Sequence, residues 1–185
     1  LSSLIFVSAL QKTIPSANVN LLDIRKILKT NDQFTKAAPL TKEIICRSQK
    51  IKEELEKNSN LYYVTQGFIG STLTGETTTL GRGGSDYSAS ILGEALQAKE
   101  IQIWTDVPGI ATTDPKICPA ATRIPEISFK EAAEMATFGA KILHPTTLIP
   151  AKRAQIPVYV GSSYDSDHPG TWIKSKIAKP PLVRA

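Results

Sequence analysis

The chain has 185 residues, enough for one domain with a sizeable core. Its 41% hydrophobic and 21% charged content is ordinary for a soluble globular protein, and no apolar run approaches the ~18 residues of a membrane-spanning helix. The net charge of +5 suits phosphate-bearing ligands, but no basic cluster is interleaved with aromatics, so neither nucleic acid nor a membrane is expected as a partner.

The opening LSSLIFVSALQK has neither a starting methionine nor a basic leader, so it reads as a helix entered partway rather than a signal peptide. Leu4, Val7, Ala9 and Leu10 share one face of that helix, and Pro15 ends it. The apolar run Val19–Ile24 predicts a buried strand. Basic and apolar residues then alternate over Arg25–Thr30. Thr41 through Asn58 predicts an amphipathic helix whose stripe is Ile44, Ile45, Ile51 and Leu55, with its charges on a solvated face. Cys46 here and Cys118 later have no metal-binding spacing and form no disulfide framework, which points to a reducing cytoplasm.

Leu61–Thr65 predicts the next strand, followed by a long polar loop from Gln66 to Leu80. A helix is expected over Ser88–Ala98, with Ala89, Leu92, Ala95 and Leu96 inward. Ile101–Thr105 is a third strand, and Asp106–Pro119 a second long loop rich in Pro, Gly and Thr. Ser128 with Glu131 forms a capping box for a helix over Phe129–Ala136. Beyond GAKILHP (Gly139–Pro145), a helix over Thr146–Ala154, a fourth strand at Ile156–Val160 and a short edge strand at Thr171–Ile173 are predicted. His144 and His168 are too few and too far apart for a zinc site, so no metal ligands are assigned. The tail KPPLVRA reads as a linker.

This alternation predicts an α/β fold with a mostly parallel sheet and helices on both faces. Ligands in such folds bind beyond the carboxyl ends of strands, and the loops after Thr65, Thr105 and Val160 leave such ends. The densest concentration of chemistry is Thr77–Asp86, TTTLGRGGSD. Its glycines permit close backbone approach, a helix start favours an anion, and Arg82 offers a fork of donors to a carboxylate or phosphate. From the loop alone, a tight strand-to-helix turn with an incidental arginine is the competing explanation. No Walker A motif and no protein-kinase signature is present, and the glycine spacing does not follow a strand as a dinucleotide fingerprint requires.

VTQGFIGS (Val64–Ser71), TTTLGRGGSDY (Thr77–Tyr87), IWTDVPGI (Ile103–Ile110), TTDP (Thr112–Pro115) and EMATFGAKILHP (Glu134–Pro145) occur in an order and spacing that resemble the aspartate kinases of the amino-acid-kinase superfamily. The resemblance covers nearly the whole chain and is nearest to the lysine-regulated, monofunctional branch. It implies a three-layer αβα domain and transfer of the ATP γ-phosphoryl group to the β-carboxylate of L-aspartate with Mg2+, the first step towards lysine, threonine and methionine. By the same resemblance Arg82 would grip the α-carboxylate of aspartate, Ser85 would help bind it and Phe68 would wall the pocket. Asp86 would orient catalytic lysines and Lys141 would stabilise the transferring phosphate. Thr105, Asp106, Ala111, Lys116, Lys141 and Ile142 would contact the nucleotide. Many relatives carry an aromatic residue in place of Ala111 and arginine in place of Lys116, so weaker or rearranged nucleotide binding is expected.

Simpler roles stay open for several of these residues: Asp86 as a helix cap, Lys141 as a surface lysine, Thr105 and Asp106 as a strand end, and His144 as structural. The family's K-F-G-G-T-S and S-H-G-E motifs do not occur in these residues, and no ACT regulatory domain does. The expectation is therefore a catalytic-domain portion over 1–176 with a linker over 177–185, inactive by itself and homo-oligomeric in the complete protein. Its compartment would be the cytoplasm, or the plastid stroma in a plant. A glutamate 5-kinase-like enzyme and a non-catalytic nucleotide-binding module are the alternatives.

Overall fold

The computed structural model describes residues 1–137, 143–165, 167 and 169–177. Two units, Leu1–Ser88 and Ala89–Ala185, each make their own internal contacts. The first contains α1 (Ser2–Thr13), β1 (Asn18–Leu22), a 3-10 turn (Ile24–Lys26), α2 (Thr41–Lys57), β2 (Leu61–Thr65), β3 (Ile69–Ser71) and β4 (Thr77–Thr79). α3 (Gly84–Leu96) starts in the first unit and ends in the second. The second continues with β5 (Ile101–Thr105), β6 (Glu126–Ser128), α4 (Phe129–Thr137), a 3-10 turn (Pro145–Thr147), α5 (Leu148–Ala154), β7 (Val158–Ser162) and β8 (Thr171–Lys174).

In the first unit β1 and β2 run parallel, with Leu22 opposite Thr65, so the loops after both strands leave the same end. The predicted buried strand Val19–Ile24 is shorter and less buried than its composition implies. Val19 is buried but Leu21 is 39% exposed, and Ile24 belongs to the 3-10 turn, where the Asp23 side chain caps the amide of Arg25. The stripe of α2 buries Ile44, Ser48 and Ile51, which lie on one face at i, i+4 and i+7. Ile45 is 44% exposed because one residue is a 100° step around the helix, which takes it off that face. In α1 only Val7 is buried, and the expected inward residues Leu4 and Ala9 face out.

Gln66–Leu80 is not an irregular loop: β3 and β4 pair antiparallel within it, Ile69 opposite Thr79. Three-residue strands rich in Gly, Ser and Thr carry too little apolar alternation to be read as strands. The hairpin is tied inward by Lys29, which is 7% exposed and whose Nζ donates to Ser71 Oγ at 2.7 Å and to the Thr72 carbonyl at 3.2 Å. Burial pushes the Lys29 ammonium below its usual range.

The second unit holds a four-stranded sheet in the order β5-β7-β8-β6. β5/β7 and β6/β8 are parallel and β7/β8 antiparallel, so the expected mostly parallel α/β architecture is present with one reversed strand pair. β8 is interior rather than an edge, because β6, unforeseen in the sequence, pairs on its far side. Ile103, Val158, Val160, Ile127 and Ile173 point to one face, where Phe129 and Ala132 of α4 and Leu148 and Ala151 of α5 close the core. The capping box holds as read: Glu131 accepts from the Ser128 amide at 2.8 Å, and Ser128 Oγ accepts from the Glu131 amide at 3.2 Å. Gly93 lets α3 lie directly on β5, since a Cβ there would stand 2.6 Å from Ile101 Cδ1.

Candidate functional site

α3 begins at Gly84, four residues before the predicted start, which puts Ser85 and Asp86 in its first turn. The change follows from the glycine run. Gly81 and Gly83 take φ of +77° and +70°, and the Gly84 amide donates to the Gly81 carbonyl at 3.0 Å, closing a tight turn around Arg82. The Tyr87 amide then donates to Gly83 at 2.9 Å as the first helical bond. Arg82 and Ser85 are exposed and Asp86 is half-buried. Burial pushes the Asp86 carboxyl above its usual range.

Phe68 reaches this turn from the loop after β2. Its φ of +74° lies in the left-handed region that non-glycine residues seldom occupy. The Phe68 amide donates to Ser88 Oγ at 3.2 Å and its carbonyl accepts from the Leu80 amide at 2.9 Å. Its ring covers Gly84 so closely that a Cβ there would be 2.6 Å from Phe68 Cδ2. Phe68, Gly81, Arg82, Gly83, Gly84, Ser85 and Asp86 line one open pocket of about 490 Å³. The four residues assigned to the acceptor side from the sequence, Phe68, Arg82, Ser85 and Asp86, therefore line a single space. Chemically it offers a guanidinium fork, a helix start and a hydroxyl to a small anion, with an aromatic wall.

The nucleotide-side assignments lie in the second unit. Thr105 ends β5, and its Oγ1 donates to Asp106 Oδ1 at 3.1 Å. The Thr105 carbonyl accepts from both the amide and Oγ of Ser163, at 2.7 and 3.0 Å, which stitches the loop after β7 to the end of β5. The loop Asp106–Pro119 pairs with the segment that follows it: Ala111 bridges Arg123, and the Thr112 amide donates to the Thr122 carbonyl at 2.9 Å. Thr171, fully buried in β8, pins that pairing by accepting from the Ile110 amide at 2.8 Å and donating to the Ile124 carbonyl at 2.7 Å. Asp114 caps the next turn by accepting from the Lys116 amide at 2.9 Å, and the Lys116 side chain is exposed. Lys141 and Ile142 lie outside the described residues, as does the tail from 178 to 185.

Sequence reasoning passed over Ser88 and Thr171. Their only signal is a hydroxyl where the pattern calls for an apolar residue, and its meaning depends on partners 20 and 61 residues away.

The lysine-sensitive aspartokinase 3 of Escherichia coli is 52% identical over the whole chain, which covers 40% of that protein. An aspartokinase of Chlamydia pneumoniae is 44% identical over 84% of the chain, corresponding to 34% of its own length. The crystal structure of E. coli aspartokinase III in complex with aspartate and ADP superposes with a TM-score of 0.89 at 52% identity, matching all of this chain and 40% of that one. The chain thus spans about two fifths of the length of the E. coli protein. A profile of the amino acid kinase family matches residues 3–162, a stretch that takes in the glycine turn, Phe68 and the end of β5 alike. The chain belongs to the amino acid kinase family.

Proposed function

We propose that this chain carries the acceptor pocket and part of the nucleotide site of an aspartate kinase, which moves the γ-phosphoryl group of ATP to the β-carboxylate of L-aspartate. The observation that carries the proposal is the pocket itself, where Arg82, Ser85, Asp86 and Phe68 line one space at a helix start. The reaction breaks the bond between the γ-phosphorus and its bridging oxygen, forms one from phosphorus to a carboxylate oxygen, and releases ADP with 4-phospho-L-aspartate. Both reactants are anions, so the site must hold them in line and neutralise charge on the moving group.

Arg82 is assigned to the α-carboxylate of aspartate, which its planar fork fits in two parallel hydrogen bonds. Ser85 adds a hydroxyl from the first turn of α3, and Phe68 excludes water on the opposite side. Asp86 is assigned to orienting the catalytic lysines, and Lys141 to stabilising charge on the transferring phosphate. Thr105 and Asp106 at the end of β5, with Ala111, Lys116, Lys141 and Ile142, are assigned to the nucleotide. Ala111 has no ring to stack on adenine, so Ala111→Tyr should tighten ATP binding in a titration, and equal affinities would reject that assignment.

Among the described residues no group of three or more His, Cys, Asp or Glu is placed to hold a metal ion. We assign Mg2+ to the phosphates of ATP, where, with its waters, it would offset their charge. Residues 1–176 are assigned to the catalytic domain and 177–185 to a linker. From the family resemblance we assign a homo-oligomer in the cytoplasm or plastid stroma; bacterial and chloroplastic aspartokinases are both among the relatives.

The test is to incubate the full-length protein with ATP, Mg2+ and hydroxylamine, and to read the hydroxamate formed from L-aspartate or L-glutamate. Hydroxamate from aspartate alone is expected. Product from glutamate, or none from either, would overturn the proposal.

A further inference from the structure

The loop after β2 contributes one side chain to the acceptor pocket, Phe68, and holds it in a backbone conformation that L side chains rarely adopt, φ +74°. Something outside the loop must fix that conformation. The ring rests on Gly84, but 41% of Phe68 is exposed, so packing alone leaves it room to swing outward. The directional restraints are two backbone hydrogen bonds, one to the Leu80 amide and one to a side chain, Ser88.

Ser88 is 2% exposed and uses its hydroxyl in both directions. The oxygen accepts from the Phe68 amide at 3.2 Å, and the hydroxyl proton is donated to the Ser85 carbonyl at 2.7 Å. One bond therefore ends on the loop that carries the aromatic wall, and the other on the helical turn that carries Ser85 and Asp86. Gly67 closes the same junction, since a Cβ there would lie 3.2 Å from Ser88 Oγ and 3.4 Å from Ser85 Cα. Loop and helix start are in contact at this point, with the hydroxyl as the fastener.

We propose that Ser88 is a positioning residue of the acceptor pocket, setting the separation between the Phe68 ring and the Arg82–Asp86 turn without touching the ligand. The identity of that ligand as L-aspartate rests on the aspartate-kinase proposal, whereas the fastening of Phe68 does not. Removing the hydroxyl leaves the Phe68 amide without its buried acceptor and lets the φ relax. The pocket then widens on one side only. Nucleotide binding, which is assigned to other residues, has no reason to change.

The experiment uses the full-length protein and three variants, Ser88→Ala, Ser88→Cys and Ser88→Thr. Calorimetry measures the affinities for L-aspartate and for ADP, and amide hydrogen exchange is followed at Phe68. Ser88→Ala and the size-matched Ser88→Cys should each weaken aspartate about tenfold, the loss of roughly one buried hydrogen bond. ADP affinity should stay within about twofold. Ser88→Thr, which keeps the hydroxyl, should restore aspartate binding, and exchange at Phe68 should accelerate in the first two variants and not in the third. Unchanged aspartate affinity in both Ala and Cys variants, or an equal loss of aspartate and ADP, would overturn the proposal. If the wild type binds no aspartate, the kinase assignment and the pocket role of Ser88 both fall, while the exchange measurement still decides whether Ser88 fastens Phe68.

Discussion

Gly84 is the position where the smallest addition should do the most specific damage. Its φ is not positive, so alanine is acceptable to the backbone, and the only obstacle is space. A Cβ would stand 2.6 Å from Phe68 Cδ2 and 3.2 Å from Leu80 Cβ. Carbon contacts relax at roughly 3.5–4.0 Å, so something must retreat by about 1 Å. Leu80 is 5% exposed and hemmed in, whereas Phe68 is 41% exposed, so the ring gives way. Overpacking of this kind costs about 1–3 kcal/mol, and the better helix propensity of alanine returns up to about 1 kcal/mol. The net stability loss for Gly84→Ala should therefore be about 0–3 kcal/mol, within the stability of an ordinary domain. Function is more sensitive, because a misplacement of about 1 Å can cost on the order of a hundredfold. Urea denaturation paired with steady-state kinetics should show a modest shift in midpoint and a 10- to 100-fold loss, by order of magnitude, in kcat/KM for aspartate. KM for ATP should hardly move. Full aspartate activity with unchanged stability would refute the placement of the Phe68 ring on Gly84.

Asp86→Asn should separate stability from activity. Burial raises the folded-state pKa above the unfolded one, so the folded protein binds the proton more tightly, and the carboxyl lowers stability as pH rises through that raised value. The amide escapes this, so the variant should melt higher than wild type at pH 7. The difference should close below about pH 3.9, while turnover collapses; a lower melting temperature at neutral pH would contradict the burial argument. Ile173→Ala removes a side chain with no exposed surface from the interior strand β8 and should cost ~2–5 kcal/mol in urea denaturation. A loss well under that range would place Ile173 outside the core. Thr171→Val leaves the Ile110 amide and Ile124 carbonyl without their side-chain partner, at about 1–3 kcal/mol. It should weaken ADP binding in calorimetry and spare aspartate; unchanged ADP affinity would detach the Asp106–Pro119 loop from the nucleotide.

What the sequence made legible was whatever depends on neighbours in the chain. The capping box of Ser128 and Glu131 is a three-residue relation, and it is present with both of its reciprocal bonds to backbone amides. The lining of the pocket proposed for the acceptor was legible for the same reason, since six of its seven residues are consecutive, from Gly81 to Asp86. Phe68 came only from the resemblance to a family, because its contact with Gly84 joins a loop to a helix start. The short strands β3, β4 and β6 escaped notice because three residues hold too little alternation to outweigh their Gly, Ser and Thr content. The edge position expected of β8 failed with them, because an unseen β6 cannot be counted as a neighbour. Exposure was misread in α1, where Leu4 and Ala9, expected on the inward face, are exposed. Hydropathy records what a residue would gain by burial and says nothing of which surface is there to cover it.

The central claim is that the glycine turn around Arg82 binds the amino acid whose carboxylate accepts the phosphoryl group. Titrating L-aspartate into the full-length protein and into Arg82→Lys, with ADP as the control ligand, tests it most directly. Lysine keeps the charge and loses the planar fork. Aspartate affinity should fall by about tenfold or more while ADP affinity holds, matching the loss of one charge-assisted hydrogen bond. Equal aspartate affinity in the two proteins would contradict the account.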